Sequence, residues 1–399
     1  MLKGLSHSWW SALAVVLVAA CGCSRASDQA TAPALVVAFT WQLPPGLPVP
    51  RVPSDNPMTV AKIDLGRRLF YDTRLSGNGT FACASCHQQA RAFTDGRAQA
   101  IGSTGASHAR GAMTLTNVAY NASLGWADPS LRTLEAQMAV PMFNEHPIEL
   151  GLKGHETEVV GRFAAQPDDR ARFRAAFPDD PSPVTLPNIV KAIAAFERTL
   201  VSGDSPLDRY LYRDDKSAMS APALRGMKAF FSDRLRCGEC HGSFNLSGPV
   251  DFDNAVKAGE LVFHNTGLYD VDGRGAYPAI DRGLFDLTQR KTDMGRFRAP
   301  TLRNIAVTAP YMHDGSVPTL EAAVVHYARG GKPSPFRSDR VRGFLMSADE
   351  KTDLVAFLES LTDQAFLANP AFAAPGAARP AQAKAALGRP NEHGVPGKP

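Results

Sequence analysis

Hydrophobic residues recur at helical spacing in four stretches of the chain, and segments without such a period separate them. Asn56 and Pro57 form a start signal for a helix over 56–70, in which apolar residues repeat every three or four positions. The stretch 131–140 (LRTLEAQMAV) keeps one apolar face. It is predicted to end before Pro141, because the residue preceding a proline avoids the helical conformation.

Two further helices are predicted in the middle of the chain and near its C-terminal end. The stretch 186–200 (LPNIVKAIAAFERTL) repeats the same period. The stretch 347–361 (SADEKTDLVAFLESL) opens with Ser347 and Glu350, the two residues of a capping box. The chain is therefore predicted to be mainly α-helical, with long irregular loops.

The same pattern indicates how the chain is divided. It breaks at 201–217, which separates a predicted N-terminal domain at 56–204 from a predicted C-terminal domain at 205–365. The proline-rich residues 24–55 are predicted to form a linker, and the alanine- and proline-rich residues 366–399 a disordered tail.

Residues 1–23 have the composition of an export signal. A positive flank at Lys3 precedes a short apolar run, WWSALAVVLVAA, and small residues lead into Cys21. The run is shorter than the ~20 residues of a spanning helix and no later segment is long and apolar enough, so no membrane span is expected. LVAAC also resembles a bacterial lipoprotein box, so we expect either lipid attachment at Cys21 or ordinary cleavage a few residues later.

Composition and charge restrict the class of protein. The 399 residues are 44% hydrophobic and 21% charged, which is typical of a globular protein. The formal net charge is only +4, and lysine and arginine are scattered along the chain. Nucleic acid is therefore not expected as a partner.

The cysteines provide the strongest chemical signal. Two of the six, Cys21 and Cys23, belong to the leader region. In an exported protein the other four could form two disulfides. They instead form two CxxCH motifs, in FACASCHQQ and RCGECHGSF, made of Cys83, Cys86, His87, Cys237, Cys240 and His241.

A CxxCH motif indicates covalent attachment of c-type haem. Its spacing lets two thiols bond to the two vinyl groups of one haem, while the adjacent histidine reaches the iron. A thioredoxin-like CxxC needs no histidine there, and zinc would require two more ligands near each pair. Two haem c groups are therefore predicted, with His87 and His241 as the proximal iron ligands.

Three long segments carry a family resemblance. They are LGRRLFYDTRLSGNGTFACASCHQQARAFTDG, ALRGMKAFFSDRLRCGECH and RAPTLRNIAVTAPYMHDGSVPTLEAAVVHYARGG. On these residues the chain resembles the bacterial di-haem cytochrome c peroxidase and MauG superfamily, over roughly 56–365. Within it, PMFNEHPIELG and NTGLYDVDGRGAYPAIDRGLFDLT look most like the MbnH-type branch, whose members are paired with a small copper-binding protein.

The resemblance implies two cytochrome c-like haem domains in one chain, with different haems. The N-terminal haem reacts with peroxide at an open face, and the C-terminal haem is six-coordinate. In the peroxidases a second histidine often binds the first haem, from the position that Ser103 takes here. The nearest histidine, His108, falls in a glycine- and serine-rich loop and is interpreted as solvated. The first haem is therefore predicted to be open.

Four residues compete as the distal ligand of the second haem: Met312, His313, His326 and Tyr327. The helical period places Tyr327 on one face with Leu320 and Val324, whereas His326 is turned away. A tyrosine beside core residues is usually part of the core. The peroxidases place methionine at this position and MauG-like proteins place tyrosine, so the resemblance favours Tyr327 as the ligand.

The resemblance also implies residues for the peroxide reaction. Pro141 corresponds to the proline over the first haem, and Glu149 to the acid/base that moves a proton between the peroxide oxygens. The segment is slightly longer than in the simple peroxidases, so Glu145 remains a rival and His146 could also enter the pocket. Trp126 corresponds to a tryptophan between the haems and is expected to relay electrons, with a structural role as the alternative.

A calcium ion is the remaining cofactor that the resemblance implies. It would lie between the haems and bind oxygen atoms of Asn117, Thr308 and Pro310. Oxygen ligands are those that calcium prefers.

These features favour an enzyme of the MauG kind, in which hydrogen peroxide oxidises the haem pair and the haem pair oxidises a partner protein. By analogy with the MbnH-type branch, the target is a tryptophan of a small exported copper-binding protein, the product is of the kynurenine type, and the location is the periplasm. One alternative is a peroxidase that reduces hydrogen peroxide to water with electrons from a small cytochrome or cupredoxin. Another is an electron carrier with two six-coordinate haems.

Overall fold

The protein is described by a computed structural model that covers residues 37–255 and 261–376. The predicted export signal, with Cys21, and most of the predicted tail lie outside these residues. Within them, no helix combines the length and the apolar composition that a membrane crossing requires.

The described residues are mainly helical, as predicted, and strand is limited to one short antiparallel pair. The α-helices are α1 Val60–Phe70, α2 Cys83–Cys86, α3 Leu134–Gln137, α4 Ala139–Phe143, α5 Glu156–Ala164, α6 Pro167–Ala176, α7 Leu186–Glu197, α8 Pro206–Tyr212, α9 Ala221–Phe230, α10 Phe285–Thr288, α11 Leu320–Ala328, α12 Ala348–Glu359 and α13 Gln364–Leu367. The strands are β1 Phe263–His264 and β2 Phe297–Arg298. Short 3₁₀ turns lie at Thr73–Leu75, Gln89–Arg91, Val118–Tyr120, Cys237–Glu239, Lys291–Asp293 and Ile305–Val307.

Of two predicted helix starts, the structure confirms the one at Ser347 and contradicts the one at Asn56. The capping box of Ser347 and Glu350 is confirmed, because each side chain accepts a hydrogen bond from the other residue's backbone at the start of α12. The start predicted at Asn56 is wrong, since the side chain of Thr59 caps α1. The Asn56 amide instead donates a hydrogen bond to Glu135, far along the chain.

The prediction that one helix over 131–140 ends before Pro141 is also wrong. The segment forms two short helices, α3 and α4, and Pro141 lies in the first turn of α4. A proline is tolerated there because the first turn of a helix has no intrahelical partners for its N–H groups. The segment 201–217, which was predicted as a break, contains α8.

The described chain contains two main hydrophobic cores, one in a first half (residues up to 204) and one in a second half (residues from 205). A pair of helices in close contact lies in each core. In the first half, Gly66 of α1 lies so close to α7 that an added Cβ would be 1.8 Å from the Ala192 carbonyl oxygen. In the second half, the equivalent distance from Gly226 of α9 to the Asp353 carbonyl oxygen of α12 is 1.9 Å. Each pair brings the helix that precedes a CxxCH motif against a later helix of the same half.

Two segments predicted to be flexible are packed where the structure describes them. Leu47 is buried, and the Tyr120 hydroxyl donates a hydrogen bond to the Pro48 carbonyl, so 37–55 is not a free linker. Phe366 and Phe372 are buried in the core of the first half. The C-terminal segment therefore returns to the first half, because its apolar side chains complete that core.

Candidate functional site

The two CxxCH motifs have the same local design. The four cysteines are free, so the alternative of two disulfides is not formed. Nδ1 of His87 lies 2.8 Å from the carbonyl oxygen of Phe93, and Nδ1 of His241 lies 3.1 Å from that of Pro300. Because a carbonyl can only accept, each Nδ1 carries the hydrogen and each Nε2 keeps its lone pair for a metal.

Burial supports the same protonation state. It lowers the pKa of His87, and it lowers that of His241 to about 4. Both imidazoles are therefore neutral at physiological pH, which is the form that binds a metal. The free thiols and the available nitrogens together suit covalently attached c-type haem.

A cavity of about 280 Å³ opens in front of the second motif. Its wall includes Cys237, Cys240, His241 and Tyr327, and much of the remainder is apolar, including Phe230, Leu320, Val324, Leu354 and Leu358. An apolar pocket with a few converging polar groups is the usual form of a cofactor site. The composition of this wall suits a flat apolar macrocycle attached through the cysteines.

Tyr327 lies on the cavity wall, on the face of α11 that also carries Leu320 and Val324. Burial raises the pKa of its phenol, and its hydroxyl has no hydrogen-bond partner within 37–255 and 261–376. Its oxygen is therefore available to a metal. The neighbouring His326 is used otherwise, since its Nε2 lies 3.0 Å from the Thr266 carbonyl oxygen.

The other two competitors for the second haem also line the cavity. His313 is buried and stacks on Phe297, with ring centroids 3.7 Å apart, and its Nε2 lies 3.7 Å from Asp281. The stack orients the His313 ring, but 3.7 Å is too long for a hydrogen bond, so its nitrogens are not occupied by these contacts. Met312 lies on the same wall, and both residues remain alternatives to Tyr327.

The environments of the two candidate acid/base residues differ sharply. Burial raises the pKa of Glu149 to about 7, so its carboxyl group can gain or lose a proton near neutral pH. Glu145 lies on the surface, where a hydrogen bond from Lys153 lowers its pKa. His146 is exposed rather than directed into a pocket. The backbone N–H of Leu150 donates to the Pro141 carbonyl, which fixes Pro141 close to Glu149.

The prediction that His108 is solvated is wrong. Only 14% of its side chain is exposed, and its Nδ1 lies 3.9 Å from a Glu149 carboxylate oxygen. The loop is held there by Gly102, where an added Cβ would be 1.8 Å from the Ile148 carbonyl oxygen. Burial lowers the pKa of His108, so a neutral imidazole faces the carboxyl group.

Trp126 lines the same cavity as His241 and Tyr327, and its indole N–H donates to the Gly111 carbonyl over 3.4 Å. Arg298, whose backbone N–H donates to the Trp126 carbonyl, also lines the cavity, and sequence reasoning did not identify it as a site residue. It is buried, its guanidinium reaches only the Gly125 carbonyl and the Met113 sulfur, and it has no ion pair within the described ranges. Burial lowers its pKa to about 10. An uncompensated cation on this wall suits the carboxylate groups of a haem.

His264 is a second residue of the cavity that sequence reasoning missed. It lies on β1 near His241, and burial lowers its pKa to about 4. Neither Arg298 nor His264 stands at motif spacing from a CxxCH. Long-range packing alone brings them to the site, so no local signal could have identified them.

The three predicted calcium ligands differ in the hydrogen bonds that their oxygen atoms already accept. Thr308 and Pro310 line the cavity, and their carbonyl oxygens accept no hydrogen bond within the part of the chain described. The side-chain oxygen of Asn117 accepts one hydrogen bond, from the Ser202 N–H over 2.7 Å, which leaves its second lone pair unused, and its nitrogen donates to the Ser202 carbonyl. The Asn117 side chain therefore links its own loop to the backbone at Ser202.

Comparison with known proteins also indicates a haem protein. Residues 60–216 match the family model of the di-haem cytochrome c peroxidases, and residues 296–330 match a RoxA-like, cytochrome c-like model. The cytochrome-c peroxidase IdrP1 of Denitromonas iodatirespirans is 36% identical over 88% of this chain and 92% of its own. The methylamine utilization protein MauG of Methylorubrum extorquens is 34% identical over 77% of this chain and 80% of its own.

A solved structure is more similar still. The crystal structure of a MauG-like protein associated with microbial copper homeostasis shares 48% sequence identity with this chain. The two superpose with a TM-score of 0.82, over 85% of this chain and 99% of that one.

Proposed function

The chain belongs to the di-haem cytochrome c peroxidase and MauG family, and on that premise we propose that it uses hydrogen peroxide to oxidise a residue of a partner protein. Membership of the family brings two haem c cofactors and a haem-dependent, peroxidase-type activity. Bound haem supplies the redox chemistry, in which peroxide is reduced and its oxidising equivalents are retained. The residues of the chain hold the haems, move the protons and direct the electrons.

The motif residues hold one haem in each half. Cys83 and Cys86 would attach the first haem and His87 would bind its iron, while Cys237, Cys240 and His241 would hold the second in the same way. The fixed Nδ1–H bonds of the two histidines orient the rings, which supports this assignment.

Glu149 would carry the proton transfer at the first haem. Peroxide must lose a proton from one oxygen while the other, departing oxygen gains one, and a single carboxyl group can do both. A pKa near neutrality suits this exchange, and Glu149 has such a pKa whereas Glu145 is held ionised by Lys153. His108, 3.9 Å from Glu149, is placed to exchange that proton with the surroundings.

The position of Tyr327 distinguishes a MauG-like enzyme from a plain peroxidase. Burial alone keeps its phenol protonated, but a bound metal cation makes deprotonation favourable. A phenolate stabilises the higher oxidation states of iron, whereas a methionine sulfur favours the reduced state. Tyr327 would supply an oxygen ligand to the iron of the second haem, and such a ligand would favour the storage of oxidising equivalents there. Trp126 lies on the same wall and would relay electrons between the haems.

The finer features of the function follow from similarity. The 48% identical structure is that of a MauG-like protein associated with copper homeostasis, which supports a small copper-handling protein as the partner. A tryptophan as the target and a kynurenine-type product rest on the resemblance to the MbnH-type branch alone. The predicted export signal supports a periplasmic location, with Cys21 as the site of any lipid anchor. A calcium ion would bind the carbonyl oxygens of Thr308 and Pro310 and the side-chain oxygen of Asn117, whose second lone pair is not used by the hydrogen bond from Ser202.

The test is spectroscopy of the purified ferric protein, followed by addition of peroxide. We expect two haems per chain in a pyridine haemochrome assay, with one high-spin and one low-spin iron. Tyr327→Phe should lose or alter the low-spin signal, whereas Tyr212→Phe, at a residue that does not line this cavity, should not. An unchanged low-spin signal in Tyr327→Phe would exclude this residue as the ligand. Mass spectrometry of a candidate partner after peroxide treatment then identifies the oxidised residue.

A peroxidase that reduces peroxide to water is the second candidate. It is favoured by the relation to IdrP1 and by the presence of Met312, a possible sulfur ligand, on the cavity wall. This candidate predicts rapid turnover of peroxide with a reduced small cytochrome or cupredoxin and no change in the partner protein. An electron carrier, with both haems six-coordinate, would show no reaction with peroxide.

A further inference from the structure

An aromatic cluster extends from the cavity wall to the surface of the second half. Trp126, Phe297, Tyr277 and Tyr269 belong to one hydrophobic cluster. The ring centroids of Phe297 and Tyr277 are 6.3 Å apart, and those of Tyr277 and Tyr269 are 5.6 Å apart. Tyr277 is buried and Tyr269 is half-buried, and the loop 271–274 beside it is exposed. Tyr269 is therefore the outer end of the cluster.

Tyr269 differs from the other tyrosines in its hydrogen-bond partner. All eight tyrosines lie in the described residues, and Tyr269 is the only one of them whose hydroxyl donates to a carboxylate, that of Asp314. The hydroxyls of Tyr71, Tyr120 and Tyr311 donate to backbone carbonyls, and that of Tyr277 donates to the Asn265 amide oxygen. An amide or carbonyl oxygen cannot take up a proton at neutral pH, whereas a carboxylate can.

The surroundings of Tyr269 require its proton to leave with its electron. Burial and then the Asp314 carboxylate raise the pKa of the phenol, so it is protonated at neutral pH. The Lys332 ammonium lies 5.6 Å from the ring centroid, which disfavours positive charge on the ring. Asp314 is held in place by a second hydrogen bond, from the Ser316 N–H over 3.1 Å.

We propose that Tyr269, with Asp314 as its proton acceptor, is the site at which oxidising equivalents pass from the haem-bearing interior to the surface. This inference rests on the proposed function, because the oxidant is the peroxide-oxidised haem pair. Tyr269 loses one electron inward through the aromatic cluster, and its phenolic proton moves to Asp314. The products are a neutral tyrosyl radical and a carboxylic acid. One electron from a residue of a docked partner, with return of the proton from Asp314, restores both groups.

The experiment is freeze-quench electron paramagnetic resonance of the intact di-haem protein after peroxide addition, with the optical spectrum of the haems recorded in parallel. We expect a tyrosyl radical signal whose hyperfine structure changes when the protein contains ring-deuterated tyrosine. Tyr269→Phe should lose the signal while the haems are still oxidised. Asp314→Asn keeps the shape of the site but not the proton acceptor, so radical formation should slow by at least about tenfold.

Tyr212→Phe is the matched control, since Tyr212 is an exposed tyrosine outside the cluster and should leave the signal unchanged. An unchanged radical signal in Tyr269→Phe, with normal haem oxidation, would overturn this inference and leave the proposed function intact. Equal rates in Asp314→Asn and the wild-type protein would remove the role of Asp314. If peroxide failed to change the haem spectrum of the wild-type protein, the proposed function itself would fail, and the inference with it.

Discussion

Glu149→Gln should slow the reaction with peroxide and, at the same time, make the protein more stable above neutral pH. Glutamine keeps the size of the side chain but cannot accept a proton, and a positioned acid/base group contributes about 10²–10⁴-fold in rate. In the wild-type protein the carboxyl must be ionised to accept the first proton. With a pKa of about 7, the rate should rise as the pH increases towards 7 and level off above it. The variant should lack this dependence.

The stability effect follows from the same burial. Raising the carboxyl pKa from 4.5 to about 7 penalises the ionised form in the folded state by at most ~3 kcal/mol. Solvent screening reduces this value, because 34% of the side chain is exposed. The penalty is absent below pH 4.5, grows as the pH rises to 7 and is constant above it, since the pKa is raised on folding. Glutamine removes the penalty, so the variant should be more stable only at higher pH.

Two assays check these expectations. Stopped-flow absorbance measures the rate of haem oxidation by peroxide between pH 5 and 9, and thermal unfolding of the di-haem protein is followed at both ends of that range. Glu145→Gln is the matched control, because Glu145 is a surface residue of the same segment whose charge pairs with Lys153. The reasoning is refuted if Glu145→Gln slows the reaction more than Glu149→Gln does, or if Glu149→Gln is no more stable than the wild-type protein at pH 9.

Two further predictions concern packing and charge. Gly66→Ala should destabilise the protein by about 1–3 kcal/mol in thermal or denaturant unfolding, because the new Cβ would lie 1.8 Å from the Ala192 carbonyl oxygen. Gly161→Ala, in the middle of α5 with nothing within 4 Å of the added Cβ, should instead stabilise it by about 0.5–1 kcal/mol, and a loss of stability there would contradict the helix assignment. Arg298→Met should lower the reduction potential of a haem in spectroelectrochemistry, since it removes a buried cation that has no carboxylate partner among the described residues. An unchanged potential in that variant would place the guanidinium away from the haems.

The sequence alone determined the chemistry of attachment and much of the helical framework. A CxxCH motif is complete within five residues, so its meaning does not depend on the rest of the fold. The capping box at Ser347 and Glu350 and the inward face of α11 were likewise predictable, because both depend on residues within a few positions of one another. Local signals failed where a distant partner competed, as at Asn56, which binds Glu135 instead of capping a helix.

Only the tertiary structure decided how the site is completed. It distinguished Glu149 from Glu145 by half-burying the first and exposing the second, and it placed His108, on a glycine- and serine-rich loop, within 3.9 Å of Glu149. It also brought Tyr269 to Asp314, 45 positions away in the chain. The physical reason is that a carboxylate's pKa, a buried charge and a tyrosine's proton acceptor depend on what is packed around them, and that packing is set by contacts between distant parts of the chain.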